Sequence, residues 1–337
     1  MHPIGETRDV LREYLPEPYR SMPLPPPEHF LYPHPESQYW EEARPGKGLP
    51  GSDPVLLERQ LFETAGIGTA ILLPLTRGLL PNPHWLSAIC AGTNTWLAET
   101  WLSKHNAHGR YRGSIRVAPT APEAAVQEIE KWAGHPYFVQ VAVPMQSLHP
   151  YGQPVYQPIW EAAVRHNLPV AIHEEGGTNV DYWPTPIGYP RRFAHYAAMF
   201  PLNFAYHLIS FISEGVFDRL DGLKVVFADG AFDMLPPLVW RMDKDWRPRH
   251  DEIPWSKTIP TGTLRDHVRF IAHRLEGPDD PVALADWLDL ADAEHLLLYG
   301  SDYPHWSYFD PKDAFVDLPP ALRRRIMSEN ARELYRL

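Results

Sequence analysis

Four polar residues stand where largely apolar runs of the sequence end. They are His173 after Leu168-Pro169-Val170-Ala171-Ile172, Asp229 after Leu223-Lys224-Val225-Val226-Phe227-Ala228, His273 after Val268-Arg269-Phe270-Ile271-Ala272, and Asp302 after Leu296-Leu297-Leu298-Tyr299-Gly300-Ser301. Neutral imidazoles and carboxylates brought to one place form a nitrogen-and-oxygen site suited to Zn2+ or Mn2+. Arg116 and Gln140 lie inside two further apolar runs. Taken singly, each of these residues is also an ordinary turn or strand-end residue. No compact spacing such as H-E-x-x-H links them, so the chemistry depends on separate strands that deliver them to a common rim.

The sequence supplies such strands. From about residue 53, apolar runs near 66–74, 113–119, 138–144, 168–175, 223–230, 268–273 and 296–302 alternate with helical patterns near 83–105, 122–133, 155–167, 191–214, 235–246 and 320–335. Strand runs apolar on both faces and separated by helices imply a parallel sheet. No G-x-G-x-x-G or G-x-x-x-x-G-K-[ST] loop follows a strand, which removes the usual basis for a nucleotide-binding open sheet. The expectation is a single α/β domain over residues 1–337, a distorted (β/α)8 TIM barrel with its active residues at the carboxyl ends of the strands. Its first strand is expected to be truncated or missing, because the chain opens on Met1-His2-Pro3-Ile4-Gly5 and not on an apolar run. Residues 16–54 carry eleven prolines with Phe30, Tyr32, Tyr39 and Trp40. They read as a loop inserted after the first-strand position, forming a lid or a substrate wall.

Composition narrows the partners. The 337 residues are 44% hydrophobic and 22% charged, as in a soluble globular protein. A formal charge of −11 argues against nucleic acid and anionic membrane, which recruit clustered Lys and Arg. Arg323-Arg324-Arg325 falls on the last helical pattern as a solvated face. Cys90 is the only cysteine, which excludes an intrachain disulfide and fits a reducing, cytoplasmic compartment. Its apolar helical surroundings make it a core thiol. No run reaches the roughly 18 apolar residues of a membrane span. The expected partner is a small organic molecule.

Several segments, taken in order, carry a resemblance. They are Pro169-Val170-Ala171-Ile172-His173; Gly222 through Gly230 with Leu235-Pro236 and Trp240-Arg241-Met242-Asp243; Gly300-Ser301-Asp302-Tyr303-Pro304-His305-Trp306; and the closing Ser328-Glu329-Asn330-Ala331-Arg332-Glu333-Leu334-Tyr335. Together they resemble the amidohydrolase-related family typified by aminocarboxymuconate semialdehyde decarboxylase, from about Asp53 onward. The resemblance implies a distorted (β/α)8 barrel holding one divalent metal. Its ligands would be an H-x-H, D-x-H or E-x-H pair ending strand one, a His ending strand five and an Asp ending strand eight. His173 and Asp302 match the last two. Met1-His2-Pro3, followed by a helix and Tyr14-Leu15-Pro16-Glu17-Pro18-Tyr19-Arg20, is similar to the variant reading D-x-H-P. His2 is then a first-strand ligand whose companion would precede residue 1. Either the start was assigned too late or a strand was lost, and the former is favoured because losing a barrel strand exposes the ladders of both neighbours.

A second departure lies at the end of strand six, where the family's decarboxylases place a His and this sequence has Asp229. A carboxylate there can take a proton from a metal-bound water but cannot supply an imidazolium, for which His207 and His305 are the replacement candidates. The implied function is a metal-dependent hydrolase acting on a small cyclic or aromatic substrate through a metal-activated water. His2, His173 and Asp302 would hold one Zn2+ or Mn2+. Asp302, Asp229 and His207 are the catalytic candidates, Glu174 or Glu175 would support a ligand, and Tyr182, Trp183, His305 and Arg116 would face the substrate. One alternative is a non-oxidative decarboxylase of an aromatic or related cyclic carboxylic acid, with Arg116 as the strand's cationic clamp. Another is an inactive barrel with a binding or assembly role. A homodimer is the expected assembly.

Overall fold

The computed structural model describes residues 1–337 except 8, 25–38, 77–78, 176–191, 229, 273–274 and 276. Its seven described strands form one parallel sheet in sequence order. They are β1 (Ala70–Leu72), β2 (Tyr111–Arg116), β3 (Phe138–Pro144), β4 (Val170–His173), β5 (Val225–Ala228), β6 (Val268–Ala272) and β7 (Leu297–Tyr299). The register runs through valines, Val141 beside Val170, Val170 beside Val225 and Val225 beside Val268. Unbroken sequential order with a helix between most neighbours is the topology of a βα barrel, here a curled sheet of seven strands.

Helices Pro83–Trp96, Pro122–Trp132, Gln157–Arg165, Pro201–Ser213, Leu235–Arg249, Pro260–His267 and Pro281–Leu290 pack outside the sheet. Their starts are written in the sequence. Asn82, just before Pro83, accepts from the amides of His84 at 3.0 Å and Trp85 at 3.2 Å, a side-chain cap followed by a proline that lacks the amide the first turn could not use. The helical pattern near 191–214 divides into Phe193–Met199 and Pro201–Ser213, because Pro201 cannot donate to the preceding turn and starts a new helix instead.

The strands are apolar on both faces, as a doubly covered sheet requires. Val141, Val143, Val170, Ile172, Val225 and Phe227 pack outward under the helices. Leu73, Ala142, Ala171, Val226 and Leu298 face inward and meet Tyr335 of the closing helix Asn330–Tyr335. The small side chains of Ala142 and Ala171 leave room for that ring, whose hydroxyl donates to Gln140 Oε1 at 2.7 Å. Gln140 Nε2 donates in turn to Ser114 Oγ at 2.7 Å. Asn330 donates to the Leu297 carbonyl of β7 at 2.7 Å, so the last helix lies against the edge of the curl.

Residues 1–4 close the rim between the two edge strands. The Leu73 amide donates to the Met1 carbonyl at 2.7 Å, the His2 amide to the Tyr303 carbonyl at 2.8 Å, and the Ile4 amide to the Gly51 carbonyl at 3.2 Å. Gly51 is needed for this approach. Its φ is +78°, and a Cβ there would meet Pro304 Cγ at 2.7 Å and the His2 carbonyl at 3.1 Å. The expected first-strand position is thus occupied at the rim by residues 1–4, and among the described residues seven strands carry the sheet.

Candidate metal centre

β7 gives way at Gly300, where a Cβ would run into Ile271. The chain then turns sharply. Asp302 adopts φ of +51°, a left-handed conformation that Asp tolerates better than most residues with a Cβ. The His305 amide donates to the Asp302 carbonyl at 2.8 Å and the Tyr308 amide to the His305 carbonyl at 3.0 Å. This turn sets two side chains against each other, with His305 Nδ1 2.9 Å from Asp302 Oδ1. Ser307 Oγ donates to Asp302 Oδ2. Tyr303 anchors the turn from the core, its hydroxyl donating to Gln60 Oε1 at 2.7 Å.

His2 arrives from the other end of the chain. Its buried ring places Nδ1 2.8 Å from the Leu73 carbonyl. A carbonyl only accepts, so Nδ1 carries the proton and Nε2 of the neutral ring keeps its lone pair. That Nε2 lies 3.3 Å from Asp302 Oδ1. Burial pushes the His2 pKa down to about 3, so an imidazolium does not relieve the encounter at neutral pH. Two acceptors therefore face each other at the separation of two ligands sharing one ion. A divalent cation satisfies both at once.

The surroundings suit that ion. His2, Asp302 and His305 each offer a ligand atom, and these atoms lie within 4.8 Å of one another. The His173 ring, at the end of β4, has its centroid 4.7 Å from that of His2, and the His305 ring is 4.8 Å away. Burial by itself raises the Asp302 carboxyl, but the neighbouring His305 outweighs it and holds the group well below the usual carboxylate range. One carboxylate among imidazoles is a donor set for Zn2+ or Mn2+.

Two of the sequence's site candidates, His207 and Arg116, lie in buried hydrogen-bond networks. His207 was expected as a catalytic imidazole, but its Nε2 lies 2.8 Å from the Met145 carbonyl and its Nδ1 accepts from the Tyr151 amide at 3.1 Å. Its ring stacks on Tyr151 at 4.4 Å, and burial lowers its pKa to about 4. Both nitrogens are taken by backbone groups, and the residue braces the segment after β3. Arg116 was expected as a clamp for a substrate acid. It is fully buried, pairs with Glu175 through Nη2 and donates from the same nitrogen to Thr76 Oγ1 at 3.0 Å. Glu175 Oε2 accepts from the Thr76 amide at 3.0 Å and its hydroxyl at 3.1 Å. Burial lowers the Arg116 pKa to about 10, so its charge persists; Nη2 serves Glu175 and Thr76, while Nε and Nη1 find no hydrogen-bond partner among the described residues.

Asp229, His273, Tyr182, Trp183 and residues 25–38 of the Pro-rich loop lie outside the described residues. Cys90 is a buried free thiol, its pKa raised by burial to about 11, as its apolar helix predicts. Ser307 and Tyr39 were not singled out for roles at the centre. Tyr39 forms an antiparallel bridge to His305, and its ring lies nearly parallel to the imidazole, centroids 5.8 Å apart at 28°. No periodicity marks either residue.

A curled parallel α/β sheet with a carboxylate and imidazoles gathered at its carboxyl rim is the architecture of a metal-dependent barrel enzyme. The chain belongs to the amidohydrolase family, whose model, described as "Amidohydrolase", matches residues 29–337. Among solved structures it is similar to 2,6-dihydroxybenzoate decarboxylase from Rhizobium, with a TM-score of 0.66 at 20% identity over 92% of this chain and 97% of that one. It is also similar to 5-carboxyvanillate decarboxylase from Novosphingobium aromaticivorans, complexed with manganese and 4-hydroxy-3-methoxy-5-nitrobenzoic acid, with a TM-score of 0.67 at 19% identity over 85% and 81%. A putative amidohydrolase from Staphylococcus aureus matches with a TM-score of 0.66 at 17% identity over 85% and 93%. No curated protein matches the sequence. At these identities the likeness establishes the shared fold. Among the described residues, no helix is long and apolar enough to cross a membrane.

Proposed function

We propose that this protein is a metal-dependent, non-oxidative decarboxylase of an aromatic carboxylic acid. The observation that carries the metal is the His2 Nε2 lone pair directed at Asp302 Oδ1 across 3.3 Å. The reaction is supported by the likeness to decarboxylases of dihydroxybenzoate and 5-carboxyvanillate. The hydrolytic reading of the sequence uses the same ligands but has less support from these structures, and it gives way here.

His2, His173 and Asp302 would hold the ion, with Mn2+ or Zn2+ the ions these donors suit. When bound, a divalent ion supplies Lewis-acid attraction for the substrate carboxylate and a neighbouring oxygen. Asp302, kept ionised by the neighbouring His305, takes up a proton at a carboxylate oxygen and delivers it to the ring carbon bearing the carboxylate. The proton captures the electron pair of the breaking carbon–carbon bond. Carbon dioxide leaves, the ring keeps the hydrogen, and one proton is consumed per turnover. Ser307 fixes the rotamer of Asp302 through this transfer. The single buried Cys90 fits a reducing cytoplasm, and a homodimer is the proposed assembly.

The test is incubation of the manganese- or zinc-loaded protein with a panel of hydroxy- and methoxybenzoates in D2O, with carbon dioxide and product read together. The expected result is carbon dioxide release with one deuterium at the vacated ring position. Cleavage of amides, esters or lactones into two carbon-containing products, with no carbon dioxide from any acid, would instead establish hydrolysis.

A further inference from the structure

We propose that His305 is itself a ligand of the metal, and that Tyr39 is the residue that positions it. The ligand set implied by the family resemblance draws on strand one, His173 and Asp302, and His305 stands outside it. The inference rests on the metal-dependent reading above but not on which reaction the centre performs.

Donors about 2.1 Å from one ion are separated by roughly 3 to 3.4 Å when adjacent in tetrahedral or octahedral geometry. His305 Nδ1 is 2.9 Å and His2 Nε2 is 3.3 Å from the same oxygen, Asp302 Oδ1. The two imidazoles therefore flank one carboxylate oxygen at ligand spacing. Their ring centroids are 4.8 Å apart, and the ligand atoms that His2, Asp302 and His305 offer lie within 4.8 Å of one another. A His three residues after the Asp reaches it because the Asp302 backbone is left-handed and the intervening chain closes a turn on the His305 amide.

His305 is also held on its far side. The Tyr39–His305 bridge and the bond from the Trp40 amide to the Pro304 carbonyl, 2.9 Å, pin an extended segment along this turn. Alternate residues of an extended segment point to opposite sides. Trp40 turns toward the core, stacked on Tyr308 at 4.3 Å, and Tyr39 lies over the imidazole. A ring trapped between a stacked aromatic and a carboxylate loses little further freedom on binding an ion, which favours tight coordination.

The measurement is metal affinity by chelator competition, with metal content and the visible absorption of the cobalt(II)-substituted protein recorded alongside. None of these needs a substrate. His305→Ala and His305→Asn are compared, since the Asn amide can keep a hydrogen bond to Asp302 but is a poor replacement for an imidazole ligand. Both should weaken binding by more than about 100-fold, beyond the 10- to 100-fold usual for an outer hydrogen-bond partner, and both should change the cobalt spectrum. Tyr39→Ala should weaken binding about tenfold, and Tyr39→Phe should restore it. His305→Asn binding as tightly as wild type, with an unchanged cobalt spectrum, would make His305 a hydrogen-bonding neighbour and overturn the proposal. A wild-type protein that retains no metal would overturn the metal-dependent reading itself.

Discussion

Two carboxylates sit at the rim of this sheet, Glu175 buried and Asp302 partly buried, and their company differs. Glu175, two residues past the end of β4, faces a guanidinium, a hydroxyl and an amide, all of which donate. Asp302, three residues past the end of β7, faces Ser307, which donates, and two imidazoles, of which His2 turns a lone pair toward it. The Glu175 carboxylate is met by donors as it stands, while Arg116 Nε and Nη1 find no hydrogen-bond partner among the described residues. The second cluster sets a lone pair against a carboxylate, an opposition that the proposed cation would resolve. A carboxylate met only by donors calls for nothing further, whereas one that faces an acceptor has a place for a cation.

The largest effect that would break this contrast lies at Asp302. Asp302→Asn should abolish metal retention and turnover. In the metal-free protein it should leave stability unchanged or raised, because an amide can donate to His2 Nε2 where a carboxylate opposes it. Atomic absorption and thermal unfolding on one preparation read both. A loss of several kcal/mol in the metal-free variant would show that Asp302 holds the fold and would end the contrast.

Next in size is the Arg116–Glu175 pair. Arg116→Met leaves a fully buried carboxylate without its counter-charge and should cost about 3–5 kcal/mol in urea unfolding. Replacing both residues with Met should recover most of that loss. Metal affinity of the fraction that folds should stay close to wild type in both. A single variant that keeps its stability but loses metal would move Arg116 into the functional cluster.

How far the sequence revealed these two clusters follows from what an apolar run records. Its end marks where a strand stops, so His173 and Asp302 were legible as residues at the rim. His2 was legible through its similarity to a first-strand motif. The partners were not. Arg116 appeared as a cation inside a strand, while the carboxylate that neutralises it follows β4, two strands away. His207 showed an imidazole on a helix but nothing of the two backbone groups that occupy it. Tyr39 reaches His305 only because the ends of the curled sheet come together. The alternation of strands and helices was legible because burial on both faces of a parallel sheet leaves a continuous apolar signal. The filling of the first-strand position at the rim was not, since residues 1–4 have no periodicity to read.

His207 sharpens the comparison through pH, since it belongs with the completed groups. Its folded pKa is about 4 against an ordinary value of 6.5. Between those values the unfolded chain binds the extra proton, so stability is full above about pH 6.5 and falls as pH is lowered toward 4. At about 1.4 kcal/mol per tenfold change in proton affinity, this group contributes roughly 3 kcal/mol to that loss. His207→Gln should be less stable at pH 7 by about 1–3 kcal/mol, because two backbone groups lose or strain their partner. It should also lose less on acidification. Denaturant titrations at pH 7 and pH 4.5 measure both, and equal pH slopes in the two proteins would mean that His207 is charged or exposed in the folded state.

The smallest effects separate the clusters most cleanly, because each carboxylate accepts from one hydroxyl, Thr76 for Glu175 and Ser307 for Asp302. Thr76→Val removes a hydroxyl that donates to Glu175 and accepts from Arg116 and should cost about 1–3 kcal/mol of stability, with metal affinity unchanged. Ser307→Ala frees one oxygen of a carboxylate that a cation can still satisfy. It should shift stability by less than about 0.5 kcal/mol while weakening metal binding about tenfold, as removal of a group that orients a ligand does. Opposite responses to the loss of the same kind of hydroxyl would locate the difference in the carboxylates' partners. If both variants lose stability and neither loses metal, then Ser307 serves the fold as Thr76 does, and Asp302 owes its orientation to the imidazoles alone.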